Sequence, residues 1–244
     1  MNTKGAGRHH WLCTLFCAWI IGVAHAQTPG DPELPLLVLH TARQFGEGVL
    51  PRQVPWQGLY CKGLTCVIRS ASVRISTDKA LNVLDEYERF DKLSTAGDPV
   101  SLFPASRLRP GPVKTWYRPP ESGDEDGSGQ LRSQGTWHMP WGARPLKISR
   151  VKESENTVRY EISDGVATQP LFRAALEGSN GEDWTPIIHW VGDLDRDGKS
   201  DLLIIIHPDV CMFDERLYLS SKTAEGDVLR LAARLESGEV PCGC

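Results

Sequence analysis

From Trp56 onward, apolar and polar residues alternate with a period of two through much of the chain. Ser70-Ala71-Ser72-Val73-Arg74-Ile75-Ser76 puts Val73 and Ile75 on one face and polar neighbours on the other, the spacing of a half-buried strand. Pro145-Leu146-Lys147-Ile148-Ser149-Arg150-Val151 and Asn156-Thr157-Val158-Arg159-Tyr160-Glu161-Ile162-Ser163 repeat that alternation. The polar link Lys152-Glu153-Ser154-Glu155 between them predicts a hairpin. Shorter strands are expected at residues 58–60, 65–68, 100–103, 115–117, 136–141, 211–213 and 216–220. Residues 169–176 and 228–235 fit a strand or a short helix. Two runs are apolar without alternation, Ile187-Ile188-His189-Trp190-Val191, interrupted only by His189, and Leu202-Leu203-Ile204-Ile205-Ile206. The best helix candidate is 78–93, where Leu81, Leu84, Tyr87 (or Glu88) and Val83, Phe90 recur near three-to-four spacing and Thr77 or Asp78 offers a cap. The fold class expected is mainly β, a β-sandwich or β-rich α+β domain with one short helix.

Punctuation along the chain sets the expected organisation. Lys4 and Arg8, a 13-residue apolar stretch from Trp11 to Val23, and Ala24-His25-Ala26 make a secretory signal peptide over residues 1–26. The stretch is shorter than the ~18–20 apolar residues that span a bilayer, so no membrane insertion is expected after cleavage near Ala26 and Gln27. The location expected is the periplasm or outside the cell. Residues 27–50 open with Gln27-Thr28-Pro29-Gly30-Asp31-Pro32 and read as a linker. An N-terminal β-rich subdomain is expected over 51–118, and a C-terminal β domain over 134–244. Between them, residues 119–133 form an acidic flexible loop whose first twelve positions hold no apolar residue.

Charge narrows the partners. The formal net charge is −4 at pH 7, and removal of Lys4 and Arg8 with the signal peptide makes it −6. An acidic chain with no basic cluster is a poor match for nucleic acid, whose phosphates need concentrated Lys and Arg.

Five cysteines follow the signal peptide. In an oxidising compartment they read first as disulfide partners. Cys61-Lys62-Gly63-Leu64-Thr65-Cys66 is a turn flanked by apolar residues, read as a hairpin stapled by Cys61 and Cys66. Cys211 then pairs with Cys244, or with Cys242, tying down the C-terminal tail.

The densest chemistry lies between the two apolar runs, in Gly192-Asp193-Leu194-Asp195-Arg196-Asp197-Gly198-Lys199-Ser200-Asp201. Counting Asp193 as position one, carboxylates fall at one, three, five and nine, with Gly198 at six. Alternating side chains of a tightly curled loop can turn toward one point, and Gly198 permits the positive φ that curling needs. Calcium is a hard cation that takes six to eight oxygen ligands. Lys199 would offer its backbone carbonyl. Four carboxylates within nine residues repel one another, so a bound cation relieves a built-in cost. An Asp-Gly turn that binds nothing accounts for Asp197-Gly198 but not for four acids in register. A full EF-hand is excluded by Ile204 at position twelve and by strand-like flanks. A phosphate loop is excluded by five residues between Gly192 and Gly198, three of them aspartates.

The stretch from Gly192 to Leu203 resembles the D-x-D-x-D-G-x-x-D calcium loop of FG-GAP repeats, in which the loop joins two β-strands. The resemblance implies calcium held by Asp193, Asp195, Asp197, the carbonyl of Lys199, and Asp201. The longer string, with Leu217-Tyr218-Leu219-Ser220-Ser221 beyond it, is similar to exported bacterial proteins that carry one such motif. The motif occurs once here, which argues against a complete β-propeller.

Enzyme signatures are sparse. There is no His-Glu-x-x-His and no Gly-x-Ser-x-Gly. A His/Asp/Ser set from His189 or His207, Asp193 and Ser220 has no support in spacing, so no catalytic residue is assigned. Trp137, Trp141, Trp184 and Trp190 are candidates for a groove or for a core. The reading carried forward is an exported calcium-binding β-rich protein of structural or binding role. The alternatives are a periplasmic hydrolase with structural calcium, and a glycan- or protein-binding module.

Overall fold

The computed structural model describes residues 44–81, 86–104, 108–119, 136–139, 146–177, 182–183, 186–209, 212–221, 223 and 226–238. Strands in chain order are β1 (Gln44–Gly46), β2 (Trp56–Lys62), β3 (Thr65–Ala71), β4 (Val73–Leu81), β5 (Tyr87–Thr95), β6 (Ser101–Pro104), β7 (Gly111–Tyr117) and β8 (Thr136–Met139). They continue as β9 (Leu146–Lys152), β10 (Thr157–Ser163), β11 (Thr168–Glu177), β12 (Glu182–Asp183), β13 (Ile187–Asp193), β14 (Asp201–Asp209), β15 (Met212–Leu219) and β16 (Arg230–Gly238). The fold is mainly β, with curled sheets and a half-barrel in place of a closed propeller.

Three antiparallel sheets form. The largest has eight strands in the order β16-β15-β14-β13-β7-β3-β2-β6. The second is β12-β11-β10-β9-β8, and the third is β1-β5-β4. Strands from both sides of residues 119–133 therefore share the eight-stranded sheet, and residues 120–133 lie outside the described residues.

Curling follows from where the apolar side chains go. Leu59 of β2, Ile68 of β3 and Phe103 of β6 share one core cluster with Leu203, Leu217 and Ala233 of β14, β15 and β16. Strands from the two ends of one sheet reach a common core only if the sheet wraps around it. A second cluster joins the outer face of β13–β15 to the five-stranded sheet. Ile188, Leu202, Ile204 and Tyr218 meet Ile148, Val158, Tyr160 and Phe172 there. β14 is thus buried on both faces, with Leu203 and Ile205 to one core and Leu202, Ile204 and Ile206 to the other. A strand covered on both sides needs an unbroken apolar run, which is why 202–206 does not alternate.

Several expectations meet their structure here. The hairpin read from residues 145–163 is β9–β10, with Ile162 opposite Ile148. Residues 169–176 and 228–235, compatible with either element, fall in strands β11 and β16. Cys61 and Cys66 are cross-strand partners on β2 and β3 and form the disulfide.

The helix expected at 78–93 is corrected. Its described residues belong to strands β4 and β5, paired from Val73–Thr95 to Leu81–Tyr87. The local three-to-four spacing loses to long-range contacts. Val73 and Ile75, both β-branched, pack with Leu93 onto a third cluster containing Phe45, Leu50 and Trp56, and such residues suit a pleated surface. Asp91 is fully buried, and Arg52, the Thr77 hydroxyl and the Gly48 N–H satisfy its carboxylate. Three separate segments supply those groups, so no local pattern announces them.

Within 27–50, read as a linker, Gln44–Gly46 forms β1 beside β5, and Phe45 and Leu50 are core residues. The signal peptide at 1–26, Cys211, Cys242 and Cys244, and Trp141 and Trp184 lie outside the described residues.

Candidate metal centre

β13 and β14 are adjacent antiparallel strands, paired from Ile187–Ile205 to Gly192–Asp201. The aspartate loop is their connection. Three features fix its path. Gly192 lies so close to its neighbours that a β-carbon there would stand 2.3 Å from the Lys114 carbonyl and 2.3 Å from Trp190 Cζ2. Gly198 takes φ 85° and Arg196 takes φ 67°, a left-handed region that side chains other than those of Gly, Asn and Asp rarely adopt. The Arg196 guanidinium reaches out of the loop and donates to the Arg109 carbonyl at 2.8 Å. Leu194, 1% exposed, anchors the near end in the core.

The carboxylates then converge. Asp193, Asp195 and Asp197 each bring one oxygen to a group in which these atoms lie within 4.8 Å of one another. Backbone and side-chain donors hold them in place. Asp193 Oδ2 accepts from the Gly198 N–H at 3.1 Å, and Asp195 Oδ1 from the Asp197 N–H at 3.2 Å. Asp197 Oδ1 accepts from the Lys199 N–H at 2.8 Å. Asp193 is 8% exposed, and its Oδ1 is buried and accepts no hydrogen bond among the described residues.

Asp201 also holds the loop to its neighbouring strand. It is fully buried and stands outside that three-residue group. Its Oδ2 accepts from the N–H groups of Leu194 at 2.7 Å and Asp195 at 3.4 Å. Its Oδ1 accepts from the N–H of Ser220 at 2.9 Å. Asp201 therefore clasps the start of the loop to the end of β15. Lys199 is exposed.

Two residues join the loop that local reading did not assign to it. The Ser220 hydroxyl lies 3.1 Å from both Asp197 oxygens and 3.2 Å from Asp201 Oδ1, and the Ser221 hydroxyl donates to Asp195 Oδ2. Leu219-Ser220-Ser221 carries the sequence signal, two hydroxyls at a strand end. Only the β14–β15 pairing of Leu202 with Tyr218 brings them level with Asp201.

Electrostatics sets the buried Asp193 and Asp201 of this loop, beside a half-buried Asp195 and an exposed Asp197, apart from two other buried acids. Asp214, 3% exposed, pairs with Arg216 and Arg234, and Asp91 pairs with Arg52. No described Lys or Arg forms an ion pair with Asp193, Asp195, Asp197 or Asp201. Lys114, opposite Asp193 in register, turns its ammonium over the Trp116 ring at 5.1 Å. Burial pushes the Asp193 carboxyl up, against the Gly198 N–H and with the Asp197 charge. Burial likewise raises Asp195, against the Ser221 hydroxyl. Asp201 is raised well above the usual range by burial and the Asp195 charge, although Ser220 and Leu194 donate to it. Desolvated carboxylates without a protein cation are costly. The donor set is all oxygen, which suits a hard divalent cation.

The other candidate residues make contacts of their own where they are described. Trp190 is fully buried and donates its indole N–H to Thr115 Oγ1 at 3.2 Å. Trp137 is partly buried and packs edge-on against Tyr117. His189 Nε2 lies 3.2 Å from the Val100 carbonyl. The side chain of His207 is outside the described residues. Ser220 serves the aspartate loop, not a histidine.

Set against protein-family models, curated proteins and solved structures, the chain matches none. The likeness to the FG-GAP calcium loop rests on the loop residues themselves.

Proposed function

We propose that this is an exported calcium-binding protein, in which one calcium ion held at the β13–β14 connection clamps the centre of a β-rich domain in a structural or binding role. The observation that carries the reading is Asp193. Its Oδ1 is buried without a hydrogen-bond donor, beside two further carboxylates and with no described Lys or Arg in an ion pair with the group. The same protein neutralises Asp91 and Asp214 with arginine. A divalent cation is the group that would complete this site.

Asp193, Asp195 and Asp197 would hold the ion directly, with the Lys199 carbonyl and Asp201 as the remaining oxygens of the loop motif. Calcium fits better than magnesium because its coordination is larger and tolerates irregular oxygen geometry. Bound calcium would supply the positive charge that lets the loop carboxylates stay close at neutral pH. Extracellular calcium modules bind at about 10⁻⁴–10⁻³ M, a range that matches the export read from the first 26 residues.

Titration calorimetry with calcium and with magnesium, on the wild type and on Asp195→Ala, tests this directly. The expected result is a calcium-dependent heat in the wild type, weaker with magnesium and lost in the variant. Absence of any divalent-cation heat in the wild type would sink the reading.

A further inference from the structure

We infer that Ser220 and Ser221 are positioning residues of the metal centre, so that ion binding at the β13–β14 loop also ties down the start of the β15–β16 connection. The inference rests on the metal reading above and adds a second chain segment to it.

The two segments are far apart in sequence. Ser220 lies 23 residues from Asp197, and Ser221 lies 26 from Asp195. Antiparallel pairing makes them neighbours. Gly192 is opposite Asp201, Leu202 is opposite Tyr218, and Leu219 is opposite Arg230. The loop and the end of β15 therefore emerge at the same end of neighbouring strands in the eight-stranded sheet.

Proton counting shows why two hydroxyls alone do not complete the arrangement. A serine hydroxyl has one proton to donate and two lone pairs. Ser220 Oγ, 4% exposed, stands within 3.1–3.2 Å of three carboxylate oxygens, two of Asp197 and one of Asp201. Its proton serves one of them at a time. Its lone pairs then face the other two at a distance where oxygens repel. The Lys199 N–H already serves Asp197 Oδ1 and the Ser220 N–H already serves Asp201 Oδ1, so the shortage of donors among the described residues falls on the buried Asp193 Oδ1, and on Oδ2 of the exposed Asp197 whenever the Ser220 proton turns elsewhere. A cation resolves it by drawing the carboxylate charge to itself and leaving the serine proton to one oxygen. Ser220 then holds Asp197 against Asp201, and Ser221 holds Asp195. Each acts through a carboxylate, in the manner of outer-shell partners that orient metal ligands.

The test compares calcium affinity by calorimetry with melting temperature in excess EDTA, using the full exported chain. The variants are Ser220→Ala, Ser221→Ala, the double variant and Ser220→Thr. Outer-shell losses weaken metal affinity by about 10–100-fold, and the double variant is expected in that range. Ser220→Thr, which keeps the hydroxyl, should bind within a few-fold of wild type. Hydrogen exchange should show the Ser220 amide slowing when calcium is added to the wild type. A merely structural serine would lower the EDTA melting temperature and leave affinity unchanged. Wild type that binds calcium beside a double variant that binds equally well overturns the inference and leaves the metal site standing. Wild type that binds no divalent cation overturns both. If Ser220→Ala does not fold, the exposed Ser221→Ala carries the decision by the same affinity criterion.

Discussion

The backbone N–H of Ser220 donates to Asp201 Oδ1 at 2.9 Å while the N–H of Leu194 donates to Asp201 Oδ2 at 2.7 Å. One fully buried carboxylate thus joins the end of β15 to the first residue after β13. Asp201→Asn keeps the shape but can place an NH₂ against an N–H. The expected cost is about 1–3 kcal/mol, the penalty of a buried polar group left unsatisfied. Urea unfolding in EDTA checks it, since the loss should persist without any metal.

Asp195→Asn should behave in the opposite way. It removes one charge from a group of three carboxylates and retains an acceptor for Ser221. In EDTA its melting temperature should equal or exceed that of the wild type. Calcium at a hundredfold over Kd should stabilise the wild type by about 2.7 kcal/mol, or about 5–10 °C for a domain of this size. The variant should lose most of that rise. Thermal melts with and without calcium give both numbers.

Gly192 tests how tightly the loop entrance is packed. Its neighbours at 2.3 Å include a backbone carbonyl and a fully buried indole, Lys114 O and Trp190. Neither can yield without moving β7 or the core. Gly192→Ala should cost about 1–3 kcal/mol, as overpacking does. Tryptophan fluorescence during chemical denaturation should report it, because Trp190 is the residue displaced.

Acid stability should depend on Asp214. Burial by itself would raise this carboxyl, but hydrogen bonds from Arg234 and Arg216 outweigh it and leave it below the usual range. A folded-state pKa below the unfolded value of about 3.9 makes the unfolded state the better proton binder. The contribution is present above that unfolded value and is lost as pH falls through the folded one. Asp214→Asn should therefore be less stable by about 1.5–3 kcal/mol at pH 7. The gap should narrow as pH drops below 4. Unfolding curves of both proteins at matched pH between 2 and 7 measure it.

The Cys61–Cys66 staple closes a short loop at the end of the β2–β3 hairpin. Its loss should cost about 2 kcal/mol on the chain-entropy estimate for so small a loop. Calcium binding should survive in the Cys61→Ser/Cys66→Ser double variant, because none of the loop's carboxylates contacts this hairpin among the described residues. Calorimetry and a melt on the same sample separate the two effects.

Sequence by itself determined those features whose physics is local. Alternation at 145–163 specified a hairpin because one face of each strand must be buried and the link between them is short. Cys61 and Cys66 sit across a four-residue turn, so pairing needed no distant information. The aspartate spacing marked where three carboxylates converge, a group that could hold a metal ion, because alternate side chains of a curled loop turn to one side. The unbroken run at 202–206 fitted a buried strand, since exposed faces would break it with polar residues.

Tertiary structure alone decided the rest. Residues 78–93 carry helical spacing, yet Asp91 finds Arg52 and Gly48, and Phe45 arrives from a stretch that reads as linker. Those partners lie some forty residues away, and burial against them outweighs a local preference worth a few tenths of a kcal/mol per residue. Asp201 reads as one residue of a local motif, and only its buried position shows that it also clasps two chain segments together. Ser220 and Ser221 lie outside the aspartate loop motif. Their hydroxyls reach the aspartates because β14 and β15 pair in one register, and register is set by which side chains both cores must bury.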